Sequence, residues 1–69
     1  MNNYYIRNKN GDCALHIAVI KNDYVASTTL LSSGASKLIL DNKGETALIK
    51  ARKAGSIDCA KMIENYNYI

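Results

Sequence analysis

The chain has 69 residues, a net charge of +3 and 48% hydrophobic residues, with two cysteines and no proline or tryptophan. A chain this short holds one small domain, whose single core seldom yields more than about 3–5 kcal/mol. The two cysteines lie outside any CxxC or CxH spacing, which excludes a disulfide scaffold and points to a reducing compartment, and the positive charge is too scattered for a nucleic-acid footprint.

Residues 1–7 carry no basic flank followed by an apolar run, so they do not read as a secretory signal. No apolar stretch approaches the roughly 20 residues that cross a bilayer. The expectation is a cytoplasmic protein without a membrane partner, with non-classical secretion or delivery into a host cell left open. From Cys13 to Lys21, Ala14, Leu15, Ala18 and Val19 fall at helical spacing until Asn22 and Asp23 break the pattern. That predicts a short helix and a tight turn. A second helix is predicted from about Tyr24 to Ser32, with Val25, Ala26, Thr29 and Leu30 available for one face. Gly34 just beyond it supplies the left-handed backbone that ends helices cheaply.

Between Ala35 and Glu45 the helical pattern lapses, and Leu38, Ile39 and Leu40 run into the turn-forming Asp41-Asn42-Lys43-Gly44. An extended excursion with a hairpin-like turn is predicted there. Thr46 is predicted to cap a helix from Ala47 to about Ala54, ended by Gly55. Ser56 is predicted to cap the last helix, from about Ile57 to Asn65, as Asp23 does in the first half.

The two halves are copies of one unit. Gly11, Ala14, Leu15 and Ala18 recur 33 residues later as Gly44, Ala47, Leu48 and Ala51. Size and polarity are kept from Asp12 to Glu45, Asn22 to Gly55, Tyr24 to Ile57, Ala26 to Cys59 and Leu30 to Ile63. A fixed period of this length marks a stacked repeat. The segments Gly11–Ala18, Leu30–Ala35 and Asp41–Leu48, with Ala51 and Gly55, resemble the ankyrin repeat. That family's pattern runs D-x-x-G-x-T-P-L-H-x-A-A-x-x-G-H and then I-V-x-x-L-L-x-x-G-A.

The resemblance covers residues from about Asn8 to Asn65. It implies an all-α fold, a short solenoid of helix-turn-helix repeats with hairpin-like loops and with Leu15 and Leu48 sealed inside. The implied division is a lead-in at residues 1–7, one repeat at 8–36, and a second repeat with a C-terminal cap at 37–69. Ala14 and Ala47 replace the motif proline, at small cost because alanine is the best helix former. Cys13 replaces the motif threonine where His16 is kept, and Ile49 replaces the histidine where Thr46 is kept. The side-chain bond between those two positions is therefore expected in neither copy. Arg52 and Glu64 stand where apolar residues would meet a further repeat, so they are expected to form a polar outer face that closes the array near Ile69. Two repeats fall below the roughly three needed for a stable stack, which implies a longer array, self-association or marginal stability.

The residues offer little for catalysis. Cys13 and His16 share a helical face, but no orienting acid accompanies them and both have places in the motif. Cys13, His16 and Cys59 lack a dedicated fourth zinc ligand, and the four glycines are too dispersed for a phosphate loop. The chain is read as non-enzymatic, with no cofactor or metal. Tyr4, Tyr5, Tyr66 and Tyr68 cluster at the two ends, where loose packing over the outer helices accounts for them.

The resemblance implies a protein-interaction module whose loop tips and first helices form a concave surface. Mapped residue by residue, that surface comprises Lys9, Asn10, Asp12, Ile20 and Lys21, then Asn42, Lys43, Glu45, Lys53 and Ala54. Its lysines make it mildly basic and imply an acidic protein partner, with Ile20 as the apolar anchor. Two rivals remain: a basic domain on nucleic acid, which demands a steep loss of affinity with salt, and a structural capping piece of a longer array. A further alternative is that these positions are simply solvated.

Overall fold

The computed structural model describes residues 6–66. Four helices form in chain order: α1 (Ala14–Ile20), α2 (Tyr24–Ser32), α3 (Ala47–Ala54) and α4 (Ile57–Asn65). Among the described residues there is no strand: where an extended excursion is predicted, Lys37 and Leu38 form a turn and Ile39 and Leu40 carry no regular structure. Each consecutive pair is a helical hairpin, and the hairpins stack with α1 against α3 and α2 against α4.

The turns repeat as closely as the helices. Asn22 (φ 54°) and Gly55 (φ 74°) occupy the same left-handed position, one that asparagine tolerates better than most residues with a Cβ. Immediately afterwards, Asp23 N–H donates to the Ala18 carbonyl at 2.9 Å and Ser56 N–H to the Ala51 carbonyl at 2.8 Å. Asp23 then caps α2 by accepting from Ala26 N–H at 3.0 Å. Thr46 caps α3, its hydroxyl accepting from Ile49 N–H at 3.4 Å.

Ser56 departs from its expected part as a cap. Its buried hydroxyl donates instead to the Val19 carbonyl of the first hairpin at 2.6 Å. That carbonyl lies in the last turn of α1 and also accepts from Asn22 N–H at 3.0 Å, so the serine gives it a second hydrogen bond, from the other hairpin.

The core is formed by Leu15, Val19, Leu31, Ala47, Ala51, Cys59 and Ile63, all at most 2% exposed. Small residues of the second hairpin receive bulky ones of the first, so the two interlock. Leu15 is sealed as expected, but Leu48 is only half-buried. The reason is positional: Leu15 is covered by the second hairpin, whereas the corresponding side of Leu48 is the outer end of the stack. Tyr66 packs against this core, while Tyr4, Tyr5 and Tyr68 lie outside the described residues.

Candidate partner-binding surface

Two loops built on one plan carry the candidate site. In the first, the Asn8 side-chain oxygen accepts from the backbone N–H groups of Asn10 and Asp12, both at 2.9 Å. In the second, Asp41 Oδ1 accepts from Lys43 N–H at 2.9 Å and Glu45 N–H at 2.8 Å. Asn and Asp favour such turns because a short side chain can replace a backbone acceptor. The loops are stitched side by side: Asn42 N–H donates to the Asn10 carbonyl at 3.0 Å, and the Asn42 side-chain amide to the Lys9 carbonyl at 2.9 Å. Arg7 adds a bond to the Leu40 carbonyl at 2.8 Å.

Gly11 is required by this approach. It has φ +78°, and a Cβ there would lie 2.5 Å from Asn42 Oδ1 and 2.7 Å from Asn42 N.

Behind the loop tips, the motif histidine joins the hairpins. Cys13 N–H donates to His16 Nδ1 at 3.1 Å, and Cys13 Sγ lies 3.0 Å from the same nitrogen. With Nδ1 accepting, the proton sits on Nε2, which donates to the Glu45 carbonyl at 3.0 Å. The bond expected in neither copy is thus present in the first, because a thiol can stand in for the threonine hydroxyl. Both residues are buried.

The expected surface residues meet different fates. Lys9, Asn10, Asn42 and Lys43 are exposed at the joined loop tips, and Ile20, Lys21, Lys53 and Ala54 are exposed at the C-terminal ends of α1 and α3. Asp12 is buried, 4% exposed, and offers no surface to a partner. Glu45 is half-buried and ion-paired to Lys53.

The reason is Lys50, which residue pattern alone did not single out as a site. Its ammonium lies 2.6 Å from Asp41 Oδ2, 3.1 Å from Asp12 Oδ1 and 4.0 Å from Glu45 Oε1. The Lys50 hydrogen bond holds the Asp41 carboxyl at about 2, against the opposing effect of desolvation and with help from the Glu45 and Lys43 N–H groups. The same bond, from the Asp41 side, raises the Lys50 ammonium above its ordinary value. The only signal in the sequence was the local concentration of Lys50, Arg52 and Lys53. All three cations are engaged, Arg52 by Glu64 at 2.8 Å. The ammonium groups of Lys9, Lys21 and Lys43, by contrast, carry no ion pair among the described residues.

Nothing in this arrangement gathers a metal-ligating trio among the described residues. The Cys59 thiol is buried in the core, 3.8 Å from the Ser27 hydroxyl. No described helix is long and apolar enough to cross a membrane.

Stacked helical hairpins with paired, polar, projecting loops define the class of helical-repeat proteins. The chain belongs to the ankyrin repeat family: the family model described as ankyrin repeats (3 copies) matches residues 1–68. It is also similar to the Target of rapamycin complex 2 subunit AVO2 of Saccharomyces cerevisiae, 36% identical over 59 residues. That match takes in 86% of this chain and 14% of the yeast protein, so the chain spans a small part of its relative's length.

Proposed function

We propose that the chain is a non-catalytic protein-interaction module of intracellular proteins, which presents a mildly basic surface to an acidic partner. Lys9 and Lys43 stand on loop tips stitched side by side and Lys21 at the C-terminal end of α1, none of them ion-paired among the described residues, with Ile20 exposed next to Lys21, and this observation carries the reading. Ankyrin repeats generally mediate protein–protein contacts, and the yeast relative is by name a complex subunit, which supports an adaptor role. Rim lysines act mainly on association rate and salt dependence, while Ile20 supplies apolar contact.

The test is the double variant Lys21→Glu, Lys43→Glu. A photo-crosslinker at position 10 should capture an acidic protein from the native cytoplasm with the parent chain, and the variant should lose that capture while keeping its helical circular dichroism. Equal capture by both chains overturns the surface assignment. A duplex oligonucleotide bound with a steep salt slope would favour the nucleic-acid rival instead.

A further inference from the structure

We infer that two copies of the chain pair back to back through α4, related by a two-fold axis that crosses the helix between Cys59 and Ala60. The contact uses α2 and α4 and none of the residues of the proposed partner surface, so it stands or falls independently of the proposed function.

The helical period makes this face. In α4 the core takes Cys59, Ala60 and Ile63, which turns Ile57, Asp58, Lys61 and Met62 to the opposite side. Ile57 is 64% exposed, Asp58 and Lys61 are exposed, and Met62 is half-buried. The face belongs to the back of the repeat rather than to an end of the stack. Tyr24 holds the place of Ile57 one repeat earlier, and Val25 the place of Asp58. With the second hairpin already stacked on the first, Tyr24 remains 49% and Val25 73% exposed. These two positions therefore meet water wherever the repeat sits in an array.

Shape supplies a hollow and a side chain to fill it. A groove of about 740 Å³ lies between α2 and α4, lined by Tyr24, Asp58, Lys61, Met62, Asn65 and Tyr66. Met62, packed against the core, and Tyr24 give it apolar walls. Ile57 lies outside the groove of its own copy, so only another copy can bring an isoleucine into it.

Charge fixes the register. Asp58 and Lys61 carry no ion pair among the described residues and stand one turn apart on the same helix. Laid antiparallel on its own copy, α4 can set each Asp58 against the other copy's Lys61. The register that does so also sets each Ile57 over the other copy's Met62, beside its Tyr24. Moving the axis two residues toward the C-terminus would instead oppose Lys61 to Met62 and Asp58 to Asn65, losing both matches. The apolar contact supplies attraction, and the reciprocal ion pairs select the alignment. Because the same patch is used by both copies, assembly closes at the dimer. One helix pair covers less than the roughly 1,200 Å² of a standard interface, so the association is weak and depends on concentration and salt.

Sedimentation equilibrium of the 7.6 kDa chain at low salt tests this directly. The weight-average mass should rise with concentration and level at twice that of the chain. Asp58→Lys and Lys61→Asp, each placing like charges in opposition, should each remain monomeric with unchanged circular dichroism. The double variant Asp58→Lys, Lys61→Asp should recover the dimer, and so should an equimolar mixture of the two single variants, because both restore opposite charges across the axis. Ile57→Lys should abolish the dimer with the ion pairs intact. A parent chain that stays monomeric at every concentration, a mass that passes beyond the dimer, single variants that still pair, or a charge swap that fails to recover pairing would each overturn the contact.

Discussion

The two loops share a backbone and differ in charge. At the head of the first stands Asn8, at the head of the second Asp41, and each side-chain oxygen accepts the same two N–H bonds. The aspartate adds a charge that the asparagine lacks, and Lys50 is drawn onto it and onto Asp12 from the first loop. A neutral Asx turn closes one loop, whereas a charged one also locks two repeats together. The helix starts differ in the same sense. His16, held through Nδ1 by Cys13, reaches across to the Glu45 carbonyl, while the Thr46 hydroxyl caps its own helix and Ile49 is exposed.

Removing the cation strikes this difference hardest. Lys50→Met should leave Asp12 and Asp41 buried without a counter-charge, and the cooperative thermal transition followed by circular dichroism should be lost, or shifted further than by any single substitution within the loops. Retention of the parent melting temperature would show that the cluster contributes nothing net.

Two glycines at matching places come next. Gly11→Ala combines a left-handed backbone with a Cβ pressed on the Asn42 backbone and should cost about 3 kcal/mol, whereas Gly44→Ala meets open space and should cost about 1 kcal/mol. Urea unfolding of both variants measures the gap, and equal losses would mean that the loops are not held in contact.

Acid provides a gentler probe. Asp41 has a folded value of about 2 against an ordinary 3.8, so its contribution is present above the ordinary value and is lost as pH falls through about 2. Asp41→Asn, which copies the first loop, should flatten stability against pH in that window. The smallest effect belongs to Cys13→Thr, which replaces a weak thiol donor by a hydroxyl at an N-cap and should raise stability by about 0.5–1 kcal/mol. An unchanged melting temperature would mean that the thiol already serves His16 as well as a hydroxyl can.

Much of the architecture was legible from residues acting within a turn or two. Asp23, Thr46, Gly55 and the apolar spacing of α2, α3 and α4 place those helices at Tyr24–Ser32, Ala47–Ala54 and Ile57–Asn65, where the structure has them, and α1 is one residue shorter at each end than the stretch from Cys13 to Lys21. The candidate surface was legible only in part. Lys9, Asn10, Asn42 and Lys43 reach the loop tips because a turn exposes its middle residues. Asp12 carries the same polar label and is buried, because the residue that neutralises it comes from α3. Ser56 looked like a cap by local rule, but a carbonyl of the other hairpin claims its hydroxyl.

Periodicity and capping chemistry, both properties of neighbours along the chain, were sufficient to establish two copies of a helical hairpin and the family to which they belong. The partners of Lys50, Ser56 and His16, and the half-burial of Leu48, came from stacking one copy on the other. Ion pairs, buried hydrogen bonds and end-face exposure depend on distance through space, and a linear pattern carries none of that until the hairpins have packed.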